Sequence, residues 1–526
     1  MFFISLLLVL GSRRYYWLKL KKLLFNRIVI VGFLFAIQIG WFCVFLLNLT
    51  TESWWIHMLM QALSVFALLV IINKSENPAY KLAWAVPILV FPLLGGMMYL
   101  FFGGKKPARG MQKKLDATAK KTLPLLIQNN EIIDEIKGQN QLIAGQVGYI
   151  LNSAKFPVYH QTITKYYKSG EENFPDILKA LHDAKHYIFL EYFIIGEGKM
   201  WGAMLEILKE KAAQGLDVRL IYDDFGCMTL LPYQYKKEME SYHIKCEVFN
   251  KMKPFFSTVL NHRDHRKILV VDGYVGFTGG INLADEYINE KVRFGYWKDT
   301  GIRLTGDAVW SLTIMFLTTW NAFRHTDEDF TKFQPTIHGK EQFGHDGYVQ
   351  PYGDSPLGSE LVGKNVYLNI INTSKEYVYI FTPYLIIDNE MMTALCLASK
   401  RGVDVRIMTP NIPDKKMVFY VTQSYYNQLV KSGVKVYQFQ PGFLHAKCFV
   451  CDDEIATVGT INLDYRSLYL HFECGVFMYD NSTVYEVKRD FLETQEKCIE
   501  MTEQLLNRKL PVRLIQAALR LFAPLM

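Results

Sequence analysis

The hydrophobic rhythm of the chain changes once. Up to about residue 104 it runs in long apolar blocks. Residues 28–49 hold only Gln38 and, near the end, Asn48 as strongly polar positions, residues 54–73 follow after a short turn, and residues 82–102 form a third block broken by Pro87, Pro92, Gly95 and Gly96. A bilayer crossing needs about 20 apolar residues, so the pattern predicts transmembrane helices at 28–49, 54–73 and 82–102. Residues 1–12 are apolar but short, and read as a signal-like or interfacial segment. Basic blocks flank the spans: Arg13, Arg14, Lys19, Lys21, Lys22 and Arg27 on one side, and Lys105, Lys106, Arg109, Lys113 and Lys114 on the other. Three full crossings cannot leave both blocks on one side. Either the third segment does not fully cross or one block is outside, and the side of the membrane stays open.

Beyond a basic, helical linker at 105–150, short apolar runs alternate with helical stretches, and they do so twice. In the first pass the strands are 186-HYIFLEYFII, the end of 212-AAQGLDVRLIYDD, and 242-YHIKCEVFN. In the second they are 376-EYVYIFTPYLII, 398-ASKRGVDVRIMTP and 432-SGVKVYQFQ, in the same order. Strands alternating with helices predict α/β domains with mixed, mostly parallel sheets flanked by helices. A repeat of about 180 residues is too long for a solenoid and indicates a duplicated domain. The expected organisation is an N-terminal membrane region at 1–104, the linker at 105–150, tandem domains at 151–345 and 346–500, and a basic amphipathic helix at 501–526. That last helix suits either a membrane surface or the protein's own body.

Each pass ends in one motif. The first copy is His265, Lys267 and Asp272 as H-x-K-x4-D, followed by Gly279, Gly280 and Asn282. The second is His445, Lys447 and Asp452, followed by Gly459, Thr460 and Asn462. Alternate residues of a strand share a face, so each copy sets an imidazole beside an ammonium. Two copies around one pocket suit a phosphodiester: lysines for the phosphate charge, one histidine as nucleophile, the other as acid and then base. The candidate catalytic set is His265, Lys267, Asp272, His445, Lys447 and Asp452, with the two aspartates read as supporting charges and not as reacting acids. Asn282 and Asn462 are candidate phosphate donors. Glu473 and Asp299 are candidate acceptors orienting the imidazoles through their second nitrogen. The glycine pairs are read as tight turns close to the phosphate. Lysine beside each histidine is a poor neighbour for a cation, so no metal and no cofactor is expected.

Charge and cysteine content refine this only slightly. The net charge of +7 favours an anionic partner. Nucleic acid is disfavoured by the apolar blocks and by the lack of a basic stretch with interleaved aromatics near the motifs. The eight cysteines suggest no disulfide framework, and Cys448 and Cys451 read as ordinary strand residues.

The paired motifs resemble the phospholipase D superfamily. Longer strings, 191-EYFI, 219-RLIYDDFG, 261-NHRDHRKI, 279-GGINLADEY, 296-YWKDT, 381-FTPY and 463-LDYRS with Phe472 and Glu473, are similar to bacterial cardiolipin synthases of that type. Gly280 and Thr460 stand where that family commonly has serine, and His471 where it commonly has asparagine. The resemblance implies two tandem phospholipase D-like domains with N-terminal transmembrane helices in a multi-pass plasma-membrane protein. It implies phosphatidyl transfer between two phosphatidylglycerol molecules, giving cardiolipin and glycerol through a phosphatidyl-histidine, with His265 the expected nucleophile and His445 the acid and base. Membrane lipids are then the partners. The competing outcomes are hydrolysis by the same intermediate or another phosphatidyl transfer.

Overall fold

The structure is a computed structural model describing residues 40, 54–91, 95–96, 98–99, 103, 109–251, 262–324, 328–335, 343–358 and 360–525. Two compact units divide the chain: Met1–Ala108 belongs to one, and Arg109–Lys251 with Asn261–Pro524 to the other.

In the N-terminal unit, helix α1 (Trp54–Ile72) and helix α2 (Pro78–Val90) pack through Ile71, Tyr80, Trp84 and Ile88. Asn77 starts α2 by accepting from the Ala79 amide at 2.9 Å, and Pro78 supplies a helical φ at the first position. The span predicted at 28–49 lies outside the described residues. That at 54–73 is α1, whose Met58, Leu63, Phe66 and Leu69 are exposed. That at 82–102 is not one helix, because α2 holds Pro87 and closes at Phe91. Among the described residues no helix is long and apolar enough to cross a membrane, so the described helices give the multi-pass expectation no support.

The second unit carries both repeats as halves of one body. It opens with helix α3 (Arg109–Thr122), which lies against helix α4 (Val309–Arg324), the Thr122 and Thr318 hydroxyls 2.7 Å apart. The first half supplies β1 (Thr162–Tyr167), β2 (Tyr187–Tyr192), β3 (Asp217–Asp223), β4 (Lys245–Phe249), β5 (Lys267–Val271), β6 (Val275–Gly279), β7 (Tyr296–Lys298) and β8 (Gly301–Gly306). All but β7 form a sheet in the order β1-β8-β6-β5-β2-β3-β4. The second half supplies β9 (Tyr348–Asp354), β10 (Tyr377–Phe381), β11 (Leu385–Ile386), β12 (Asp404–Pro410), β13 (Lys435–Phe439), β14 (Gly442–Leu444), β15 (Cys448–Cys451), β16 (Ile455–Gly459), β17 (Leu463–Asp464), β18 (Glu473–Tyr479) and β19 (Cys498–Glu500). Its large sheet runs β19-β13-β12-β10-β15-β16-β18-β9, the same plan with one added edge strand.

The sheets are mixed, but parallel pairing is confined to β2-β3-β4 and β10-β12-β13; the other neighbours within each large sheet are antiparallel. This corrects the mostly parallel expectation. Helical crossovers return the chain in the same sense, whereas the tight turns joining β5 to β6 and β15 to β16 reverse it. The central strands β2, β5, β10 and β15 are buried along their whole length, and apart from Glu191 and Lys267 their residues are apolar or aromatic. Helix α4 crosses the first sheet and also touches β9, so it is buried on nearly every side and shows no amphipathic stripe. An apolar core runs from Tyr167 and Leu208 to Trp297 and reaches Phe443 of the other half. Each such side chain stabilises the fold by about 1.5–3 kcal/mol.

Candidate active site

His265 precedes β5 and His445 precedes β15, so both stand where a central strand enters its sheet. Their backbones are tied to the opposite half. The His265 amide donates to the Phe472 carbonyl at 2.9 Å, and the His445 amide to the Lys298 carbonyl at 2.7 Å. Strand β7 pairs in parallel with β14, leading directly into His445. The side chains repeat this exchange. His265 Nδ1 lies 3.0 Å from both carboxylate oxygens of Glu473, and His445 Nδ1 lies 2.6 Å from Asp299 Oδ2. Each half therefore orients the other half's imidazole. With Nδ1–H donated to a carboxylate, Nε2 keeps its lone pair.

The carboxylates are themselves held. The Thr460 hydroxyl donates to Glu473, and the His471 ring reaches within 3.7 Å of it. Asp299 accepts from the Thr300 amide at 2.9 Å and from the Trp297 indole N–H at 3.4 Å. Gly280 serves this second carboxylate: a Cβ there would sit 1.9 Å from Asp299 Oδ1. The glycine leaves room for the orienting group, where a turn beside the phosphate had been expected.

Burial governs the protonation states. It pushes the His265 imidazole down to about 3, with Glu473 opposing and Lys267 assisting. It pushes His445 down to about 4, with Lys447 assisting and Asp299 opposing. Burial alone leaves both rings neutral near pH 7, the state a nucleophile needs; a ring acting as an acid needs a second proton, which a bound phosphate anion would favour. Burial would raise Glu473 and Asp299, but the adjacent imidazoles hold both carboxyls below their usual range. Burial, opposed by Glu473 and Asp299, lowers Lys267 to about 7 and Lys447 to about 8. Each ammonium donates to the carbonyl of its own histidine. Two cations in one buried site repel each other, and a phosphate would relieve that repulsion.

Of the residues singled out in the sequence, His265, Lys267, His445, Lys447, Glu473 and Asp299 converge. Asp272 and Asp452 do not. Each sits in a left-handed turn at the far end of its strand, φ 50° and 54°. Asp272 accepts from the amides of Lys185, His186 and Tyr187, all at 2.8 Å, and Asp452 from those of Lys375, Glu376 and Tyr377. They start strands β2 and β10, and their inclusion in the catalytic set is corrected. Asn282 is committed to the Ile194 amide at 3.0 Å and the Tyr287 hydroxyl at 2.7 Å, whereas Asn462 Oδ1 is buried without a protein partner. Sequence reasoning missed Trp297, Tyr287 and the Arg266 guanidinium, which pairs with Asp264 at 2.9 Å and Glu191 at 2.7 Å to brace the loop before β5. An arginine inside an H-R-D-H-R-K string beside a buried Glu was the available signal. His265, His471 and Glu473 have ligating atoms within 4.8 Å of one another and could hold a metal ion, although Lys267 beside them disfavours a cation.

Comparison with known proteins agrees with this arrangement. A family model described as "Cardiolipin synthase, PLD-like domain" matches residues 177–292 and 367–495, one stretch per half, and "Phospholipase_D-nuclease N-terminal" matches 62–104. A cardiolipin synthase of Halalkalibacterium halodurans is 34% identical over 513 residues, 95% of this chain and 100% of its own. The chain belongs to the cardiolipin synthase family of phospholipase D-like proteins. An uncharacterized protein of Streptococcus mutans is 43% identical over 88% of this chain and 99% of its own. In fold, this family member is similar to the phosphatidylserine synthase of Haemophilus influenzae, with TM-score 0.55 and 15% identity over 73% of this chain and 98% of that one. The chain is a phospholipid phosphatidyltransferase by family.

Proposed function

We propose that the chain joins two phosphatidylglycerol molecules into cardiolipin and releases glycerol. The observation that carries this is the reciprocal pairing of His265 with Glu473 and His445 with Asp299 beside two lysines in one buried site. His265 Nε2 attacks the phosphorus of the first lipid. With the anionic phosphate bound, His445 acts as an imidazolium, its Nδ1–H on Asp299 and a second proton on Nε2; it gives the Nε2 proton to the leaving glycerol oxygen, and a phosphatidyl-histidine remains. His445, now a base, removes the proton from a hydroxyl of the second lipid, which attacks the same phosphorus and frees His265. Lys267 and Lys447 balance the charge of the phosphate oxygens, and Asn462 adds an amide.

The surroundings support this division of labour. The His445 ring lies 5.3–5.8 Å from the Tyr287, Trp297 and Phe443 rings, whose faces favour a transient imidazolium. His265 has His471 at 5.6 Å and Phe193 at 5.0 Å, and His471 favours the neutral nucleophile. The exposed apolar side of α1 and the match at 62–104 support anchoring of the N-terminal region in a membrane, where both substrates reside. Multi-pass insertion through 28–49 and its neighbours is part of the same proposal.

The test uses the full chain in phosphatidylglycerol liposomes, with products identified by mass spectrometry beside a His265→Ala control. Cardiolipin and glycerol formed together, and only by the unaltered protein, support the reading. Phosphatidic acid as the main product makes water the acceptor and overturns the transfer.

A further inference from the structure

The C-terminal helix α6 (Leu510–Phe522) docks with its polar side. Gln516 is buried and donates to the Tyr420 carbonyl of helix α5 (Lys416–Lys431) at 3.3 Å, and the Arg520 guanidinium lies 4.2 Å from the Tyr425 ring. Leu510, Leu514, Ala517 and Ala518 recur at three- and four-residue spacing and are exposed, with Ile515 beside them; Leu510 is 66% exposed, Leu514 62% and Ile515 58%. An amphipathic helix that only closed the core would be turned the other way. Met417 and Tyr420 of α5, also exposed, extend this apolar surface.

Beside it, α5 and the C-terminal segment enclose a cleft of about 180 Å³ lined by Arg508, Arg513 and Arg520 with Gln423, Ser424 and Asn427. Among the described residues no carboxylate pairs with any of the three guanidiniums. Uncompensated cations next to an outward apolar face match one occupant. Acyl chains cover the leucines while phosphate headgroups meet the arginines.

The geometry points to α6 as an interfacial docking site for an anionic phospholipid bilayer, separate from the catalytic histidines. It would hold the catalytic unit against the surface that carries its substrates. It requires neither the transfer reaction nor the assignment of its nucleophile, so the liposome assay and the following one fail independently.

The experiment is hydrogen exchange of the full chain in nanodiscs of phosphatidylglycerol, in nanodiscs of phosphatidylcholine, and in detergent micelles. Exchange of residues 510–522 is expected to slow by about tenfold with phosphatidylglycerol alone. High salt and the pair Arg508→Glu with Arg513→Glu should each remove that protection, as should Leu514→Glu with Ile515→Glu. All four substituted residues are exposed, and unchanged exchange in β15 and β16 reports an intact fold. Equal protection in both lipids, none in either, or protection that follows protein concentration in micelles overturns the proposal. The last outcome would assign the face to a second copy of the chain.

Discussion

The two halves of the catalytic unit share a backbone plan and differ in what surrounds each histidine. His265 faces Glu473, a longer carboxylate shared evenly between two oxygens, supported by Thr460 and flanked by His471. His445 faces Asp299, a shorter carboxylate reached at 2.6 Å through one oxygen, supported by backbone and by Trp297 within an aromatic wall. Trp297 and His471 stand at matching places, each two residues before the carboxylate. Duplication supplies two imidazoles, and divergence of their neighbours gives them unequal surroundings. Burial and lysine lower both rings; His265 has Phe193 and His471 beside it, whereas His445 has three aromatic rings, which favour an imidazolium once it forms.

The largest effect falls on the histidines. His265→Ala and His445→Ala are each expected to lower transfer by about 10⁴-fold or more, since the pair acts as a unit. Rapid quenching with peptide mass spectrometry separates the halves: the phosphatidyl adduct is expected on the peptide holding His265. An adduct on His445 would reverse the comparison. Next come the carboxylates. Glu473→Gln and Asp299→Asn remove the charge that fixes each tautomer, and each should cost about 10³-fold in kcat with little change in KM. If His445 is the ring that must carry charge, Asp299→Asn suffers more, and steady-state kinetics of the two variants decide it.

The lysines set the pH range. They act protonated, and burial lowers them to about 7 and 8. A group with a lowered value is charged below that value and loses its charge as pH rises through it. kcat/KM should therefore fall from about pH 7 upwards, by about tenfold per unit between pH 7 and 8 and approaching about a hundredfold per unit above pH 8, where both lysines lose their charge. A flat profile to pH 9 would remove the lysine charges from the mechanism.

Much of this was legible in the sequence, because a motif that recurs with matched offsets can be found without a structure. Strands β2, β3 and β4 and their counterparts were legible for a related reason: they are short, mostly apolar runs with few polar positions, such as Glu191 and Arg219, that alternate with helical stretches. Glu473 and Asp299 could be named as orienting acceptors, but not matched to their histidines. The exchange spans 208 residues in one case and 146 in the other, and depends on how the halves pack. Asp272 misled because its offset from His265 is repeated at Asp452, and repetition marks a structural need as readily as a chemical one. The antiparallel majority was not legible: only β5-β6 and β15-β16 are joined by tight turns, and the other antiparallel pairs bring together strands farther apart in the chain.

Smaller effects sharpen the supports. Thr460→Val removes the hydroxyl on Glu473 and should lower kcat by about tenfold, the worth of one positioned hydrogen bond, whereas Thr460→Ser should be nearly neutral. In the first half the same serine should do harm. Gly280→Ser drives a Cβ into Asp299 Oδ1 and displaces the carboxylate from His445. Activity assays showing Gly280→Ser to be as mild as Thr460→Ser would mean that Asp299 has room to move, and that the two halves support their carboxylates alike.

The smallest expected effect on turnover belongs to the aspartates that complete the motifs. Asn also tolerates the left-handed turn, so Asp272→Asn keeps the backbone and keeps Oδ1 for His186 and Tyr187, losing the acceptor for Lys185 and the negative charge. That should cost about 1–2 kcal/mol, because Asp272 is 1% exposed and the abandoned amide is partly buried. Asp452→Asn should cost less than about 1 kcal/mol, since Asp452 is half-buried and water can replace the lost acceptor at Lys375. Hydrogen exchange at Lys185 and Lys375 reads the two costs locally, while transfer activity of both proteins should stay near that of the unaltered chain. Loss of activity with unchanged exchange at Lys185 would return Asp272 to the chemistry, through a path that its present bonds to three amides at the remote end of β5 do not provide.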